Sequence, residues 1–172
     1  MSVHRTKPLP TGPADGRLLV TESVLDRTRQ LLRKAGERKP PHEGLVWLLG
    51  RRIGQDTLVL ACHRPPARSG PDFVFADEHA TGDASRAARA RGLSLVAQVH
   101  SHPGRDTRHS DGDDELVLMP YNGMFSLVTA SYGRGSMLPE QGAGLHQYQH
   151  GRWVAIHQAE PALVPIPSEL LA

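Results

Sequence analysis

The chain has 172 residues, with 20 Lys and Arg against 18 Asp and Glu and a formal net charge of +2. That length suits one domain able to bury a core around a single sheet, and a nearly balanced charge with few aromatic residues offers no basic, aromatic-interleaved surface for nucleic acid. The single cysteine, Cys62, excludes an internal disulfide, and no run approaches the roughly 18 apolar residues that a membrane-spanning helix needs.

Residues 1–16 set Pro8, Pro10, Pro13 and two glycines among polar residues, which reads as a flexible, extended lead-in. No apolar stretch of a secretory signal follows Arg5 and Lys7, so a soluble cytoplasmic protein is expected. Leu18-Leu19-Val20 reads as a short strand. From Ser23 onward, Val24, Leu25, Thr28, Leu31, Leu32 and Ala35 follow one helical face, with Ser23 and Asp26 as a capping pair and Gly36 as the stop. After Pro40-Pro41, His42-Glu43-Gly44 leads into Leu45-Val46-Trp47-Leu48-Leu49. A continuous apolar run of this length suggests burial on both faces and hence a central strand. Gly54-Gln55-Asp56 turns the chain, and Thr57 to Cys62 reads as the antiparallel partner.

Pro65 to Gly82 reads as a loop carrying a short strand at Phe73-Val74-Phe75. Ala84, Ala87, Ala88 and Arg91 then predict a helix capped by Asp83 and ended by Gly92. Leu93, Leu95, Ala97 and Val99 alternate with Ser94, Val96 and Gln98, and the second of these faces continues to His100 and, in extended geometry, His102. Ser110 to Met119 opens with acidic residues and continues with Leu116, Val117 and Leu118, predicting a short helix with negative charge at its positive end. Phe125 to Ala130 reads as a strand, and Leu145–Gln149 with Arg152–Ile156 as a hairpin across His150-Gly151. Residues 157–172 carry Pro161, Pro165 and Pro167 and read as a tail laid on the surface or left free.

The chemistry concentrates in His100-Ser101-His102-Pro103, followed after six residues by Ser110 and after two more by Asp113. Taken separately, two surface histidines in a loop account for the first pair, and a capping box accounts for Ser110 and Asp113. Together they outline a metal site: two imidazoles leaving one strand end and an aspartate downstream. Three nitrogen and oxygen ligands with a fourth position left to water is the catalytic form of a zinc site, whereas structural sites close with four residues.

This combination, with Glu43 upstream at the start of a buried strand, resembles the JAMM motif of the MPN-plus family of zinc metallopeptidases, which includes deubiquitinating enzymes and bacterial relatives of the JAB type. The resemblance implies an α/β fold, an α-β-α sandwich of the cytidine deaminase-like type with a mixed central sheet and flanking helices, over residues 17–156. It implies that His100, His102 and Asp113 ligate one zinc ion, that Glu43 is the general base, and that Ser110 helps to stabilise the oxyanion. It further implies a peptidase or isopeptidase cutting after the tail of a ubiquitin-like or sulfur-carrier protein, which would enter extended and add to a strand edge. The segments before Asp83 and from Tyr121 to Met124 are the candidates for that groove.

The residues leave rival readings. Glu22, Glu37, Glu78 and Glu115 compete with Glu43, but only Glu43 directly precedes the apolar strand. His109, Asp106, Asp111 and Asp114 crowd the same loop and could bind or tune the ion, although solvated loop charges account for them more simply; Asp111 and Asp114 also compete as ligands, and the spacing favours Asp113. Cys62 and His63 are strand neighbours that point apart, so an inert thiol is expected rather than a nucleophile. Gly133-Arg134-Gly135-Ser136 lacks the context of a phosphate loop. A non-catalytic MPN-like interaction module is the second functional reading. A zinc nucleobase deaminase needs a Pro-Cys-x-x-Cys pair, which one cysteine cannot supply.

Overall fold

The structure, a computed structural model, describes residues 4–116 and 119–169. In chain order its elements are β1 (Thr11–Gly12), β2 (Leu18–Thr21), α1 (Glu22–Gly36), β3 (Leu45–Ile53), β4 (Asp56–His63), β5 (Arg68–Ser69), β6 (Val74–Phe75), α2 (Glu78–Arg89), β7 (Ser94–Ser101), β8 (Phe125–Thr129), β9 (Gly144–Gln149), β10 (Arg152–Ile156) and β11 (Leu163–Ile166), with single 3₁₀ turns at Asp113–Glu115, Ser131–Gly133 and Pro139–Gln141. Nine strands form one mixed sheet in the order β1-β10-β9-β8-β7-β3-β4-β2-β11. β5 and β6 make a separate small hairpin. Strand β7 pairs antiparallel with β3 and parallel with β8, so it lies at the centre of the sheet.

The apolar run of β3 explains the layering. Val46 and Leu48 join Leu18, Val20, Leu32 and Val59 in the core that α1 covers. Leu45 and Trp47 join Ala80, Ala84 and Leu116 in the core that α2 covers. Alternate residues of one strand thus meet different helices, which places α1 and α2 on opposite faces of the mixed sheet, the α-β-α arrangement expected. Each such side chain, fully buried, contributes about 1.5–3 kcal/mol. The stripe of α2 is built of alanines, with Ala80, Ala84 and Ala88 buried one turn apart, so the helix can approach the sheet closely.

Several local expectations are corrected. Helix α2 begins at Glu78, capped by the Asp77 side chain accepting from Ala80 N at 2.9 Å, and not at Asp83. Gly82, a poor helix former, hid the first turn. The cap of α1 is Thr21, whose hydroxyl accepts from Val24 N at 3.4 Å, and the helix runs through Gly36. There a Cβ would press on the Tyr132 side chain at 2.6 Å, so this glycine serves close packing. The helix expected from Ser110 to Met119 is only a 3₁₀ turn at Asp113–Glu115, with Val117 and Leu118 outside the described residues. At the chain ends, the segments expected as an extended lead-in and as a tail laid on the surface or left free carry edge strands. Residues 11–12 pair with β10 and residues 163–166 pair with β2, as the two edge strands. The prolines that argued against structure are compatible with it because an edge strand leaves one row of backbone donors unused, and Pro165 lies within β11. Among the described residues, no helix is long and apolar enough to cross a membrane.

The β3–β4 pairing shifts register between Leu49 and Gly50, where a Cβ on Gly50 would collide with the Leu58 carbonyl. The Gly50→Ala variant is expected to lose about 1–3 kcal/mol of stability by overpacking the ladder. Urea unfolding of the variant beside the wild type measures this, and an unchanged midpoint would show that the two backbones do not approach so closely.

Candidate metal centre

The register of β7 aims its histidines. His100 lies opposite Leu45 of β3, on the α2 face of the sheet. Past the strand end, His102 still donates its N–H to Thr129 O at 2.9 Å, and its carbonyl accepts from Tyr132 N at 2.8 Å. The extended geometry therefore persists, and the two rings meet with their Nε2 atoms 3.1 Å apart. Asp113 closes the triangle, with Oδ1 3.2 Å from His100 Nε2 and Oδ2 3.0 Å from His102 Nε2.

Those separations are informative. Ligands about 2.0–2.1 Å from a tetrahedral ion stand about 3.3–3.4 Å from one another along the edge of the tetrahedron, close to what the three atoms show. The proton inventory agrees. His102 Nδ1 contacts the Asp106 carbonyl at 2.8 Å, and a carbonyl only accepts, so Nδ1 carries the proton and Nε2 presents a lone pair to the common point. All three residues are buried, and they form a group able to hold a metal ion. Burial alone would raise the Asp113 carboxyl, yet the charge and hydrogen bonds of His100 and His102 hold it well below the usual carboxylate range. Burial alone would lower His102, but Asp113, the Asp106 carbonyl and Glu43 together raise it.

The capping reading of Ser110 and Asp113 is present alongside the ligand reading. Ser110 N donates to Asp113 Oδ2 at 2.6 Å, and Asp113 N donates to Ser110 Oγ at 3.1 Å. This reciprocal pair fixes the Asp113 rotamer so that its carboxylate faces the histidines.

Glu43 arrives from the segment before β3 and is only 5% exposed, whereas Glu22, Glu37, Glu78 and Glu115 are all exposed. Burial pushes its carboxyl up to about 8, against the charge of His102, which lowers it, and with that of Asp113 and Asp72, which adds to the rise. Its position is held by the residue between the two histidines. Ser101 accepts from Gly44 N through Oγ at 2.9 Å and donates its own N–H to Gly44 O at 3.1 Å. Behind Gly44, a Cβ would stand 3.1 Å from Leu32 and 3.2 Å from Ala35, so α1 presses the segment against β7. On the other side, Glu43 N donates to Gly70 O at 2.8 Å.

The loop charges are not all solvated, as the sequence suggested. His109 is fully buried. Its Nδ1 lies 3.1 Å from Asp114 Oδ1, its Nε2 lies 2.8 Å from Ser126 Oγ, and its ring stacks on His146 at 3.9 Å. Burial lowers the basicity of both His109 and His146. Asp111 turns away to Thr6, whose N–H and hydroxyl both donate to it. Sequence reasoning missed Ser101 and His146. The alternation of β9 carries a signal for His146, because Leu145 belongs to the α1 core and its neighbour must point to the other face. A cleft of about 840 Å³ lies between α2 and the Met119–Met124 segment, lined by Gly82, Arg86, Leu95, Tyr121 and Met124 among others. None of Glu43, His100, His102, Ser110 or Asp113 lines it.

A sequence model described as prokaryotic homologs of the JAB domain matches residues 25–138. A protein of Sinorhizobium fredii named a probable metalloprotease is 48% identical over 44 residues, which are 26% of this chain and 26% of that relative's length. In fold, the chain resembles a protein from Desulfitobacterium hafniense solved in solution, with a TM-score of 0.64 at 20% identity, over 90% of this chain and 94% of that one. A protein from Salinibacter ruber gives a TM-score of 0.56 at 22% identity, over 88% and 94% of the two chains.

Proposed function

The chain belongs to the prokaryotic homologs of the JAB domain, and from that membership we propose that it is a zinc-dependent peptidase or isopeptidase acting in the cytoplasm on the C-terminal tail of a ubiquitin-like or sulfur-carrier protein. The observation that carries this reading is the convergence of His100, His102 and Asp113 at 3.0–3.2 Å with a buried, proton-holding Glu43 beside them. Zinc held by these three residues would supply a Lewis acid for the scissile carbonyl and a water of lowered pKa.

The chain's own groups divide the remaining work. Glu43, buried near His102 and Asp113, takes up a proton as general base and returns it to the leaving amine as general acid. The Ser110 hydroxyl already accepts from Asp113 N, which leaves its own proton to donate to the developing oxyanion. The cleft beside α2 is our candidate for holding the body of the partner protein, with its tail running to the metal centre. The alternative, a non-catalytic module, requires none of these residues, whereas every one of them is present.

The test is to load the protein with zinc and incubate it with a ubiquitin-like protein extended past its C-terminal tail, following products by intact mass. Cleavage at the tail, abolished by a chelator and restored by zinc, is expected. Zinc binding with every extended tail left intact would favour the module instead.

A further inference from the structure

The segment that holds the metal loop in place lies outside the family match. That match begins at residue 25, yet residues 4–6 bind the stretch from His109 to Asp114 along its length. Asp111 N donates to His4 O at 3.2 Å, and Thr6 donates twice to the Asp111 carboxylate. Arg5 makes the larger contribution. Its guanidinium forks onto Asp114, with Nη1 to Oδ1 at 3.2 Å and Nη2 to Oδ2 at 2.8 Å. Nη1 also reaches the carbonyls of His109 and Ser110, and Nε donates to Lys7 O. The Arg5 side chain is only 16% exposed.

Asp114 joins this fork to the floor of the site. A carboxylate only accepts, so His109 Nδ1 donates to it. With the neutral ring favoured by burial, His109 Nε2 is then bare and accepts from Ser126 Oγ, which itself accepts from Gln98 Nε2 at 3.1 Å. Trp153 Nε1 holds the Asp114 carbonyl at 3.3 Å. Every donor in the chain Gln98, Ser126, His109, Asp114 is aimed one way, and Arg5 terminates it. Between this strap and the sheet lies a cavity of about 430 Å³ bordered by Arg5, Leu9, Thr11, Arg108, His109 and His146, so the strap is held to the loop by directional bonds more than by flush packing.

We propose that Arg5 is a positioning residue for the metal centre: by neutralising and orienting Asp114, it fixes the adjacent Asp113 in ligating geometry. The inference rests on the metal reading above. Without Arg5 the loop loses four of its side-chain hydrogen bonds and the unpaired Asp114 carboxylate pushes on the neighbouring Asp113; a lost positive charge alone would favour a bound cation, so a weaker affinity reports the lost geometry. Partners that hydrogen-bond a ligand directly change metal affinity by about 10–100-fold, which sets the scale for Arg5, acting through the neighbouring Asp114.

The experiment measures the Zn²⁺ affinity of wild type, Arg5→Ala, Arg5→Lys, Arg5→Ala/Asp114→Asn and Arg17→Ala by competition with a chromophoric chelator, alongside the metal-free melting temperature of each. Arg17 forks onto Asp56 on the exposed surface and serves as the control. Arg5→Ala is expected to bind zinc about 10–100-fold more weakly. Arg5→Lys should fall between it and the wild type, since an ammonium cannot fork, and Arg17→Ala should match the wild type. Neutralising Asp114 in the Arg5→Ala background should restore part of the affinity, which a purely structural role would not do. Affinity within twofold of the wild type for Arg5→Ala, or a lowered melting temperature with unchanged affinity, overturns the proposal. If Arg5→Ala fails to fold, Arg5→Lys carries the same comparison. No zinc binding by the wild type overturns the metal reading itself and this inference with it.

Discussion

Glu43→Gln is expected to lower turnover by about 10²–10⁴-fold while leaving zinc content unchanged, because glutamine keeps the shape and burial of the side chain but cannot carry a proton between groups. Metal analysis and cleavage rates on the same samples check both halves, and normal turnover would remove Glu43 from the mechanism. The same variant tests the electrostatics of the metal-free protein. There the folded state holds the Glu43 proton up to about pH 8, against 4.5 for an ordinary glutamate. The unfolded chain releases that proton earlier, so the stability due to the neutral acid is complete below pH 4.5 and is lost as pH rises towards 8, at up to about 1.4 kcal/mol per pH unit. Glutamine does not titrate. The stability of Glu43→Gln relative to the wild type should therefore climb between pH 5 and 8 in urea titrations without metal, and a flat difference would mean that the carboxyl is not held as a neutral acid.

His100→Ala removes one corner of the ligand triangle and is expected to abolish both zinc retention and cleavage. Zinc that binds only the folded state stabilises it by about 4 kcal/mol at a thousandfold excess over its dissociation constant, so the wild type should melt higher with zinc present. His100→Ala should show no such rise, and Glu43→Gln should show all of it. This contrast separates holding the ion from using it. A zinc-dependent rise that survives in His100→Ala would place the metal elsewhere.

Much of this was legible in the residues, and the rest was hidden for identifiable reasons. The β3 run from Leu45 to Leu49 declared a strand buried on both faces, and the alternation through Gln98 declared which face His100 would occupy. The spacing of Ser110 and Asp113 fitted a cap and a ligand equally, and the structure has the two at once because one carboxylate oxygen accepts from Ser110 while both oxygens face the histidines. The start of α2 was obscured because Thr81-Gly82-Asp83 has turn composition, and only packing of Ala80 against the sheet makes it helical. His109 and Asp114 read as solvated because their partners, Arg5 and Ser126, are distant in sequence. Edge pairing by residues 11–12 and 163–166 was missed for a similar reason: proline content reports the local backbone and is silent about which strand offers an open side.

The clamp between Ser101 and Gly44 has a consequence for how the site fails. Its two bonds cross at the end of the β3–β7 ladder, in the middle of the sheet, so the segment bearing Glu43 and the segment bearing the histidines belong to one cooperative unit. Releasing one from the other means opening that end of the β3–β7 ladder. Heat is therefore expected to disable the centre as this end of the central ladder opens, with the proton carrier and the histidines parting in the same event.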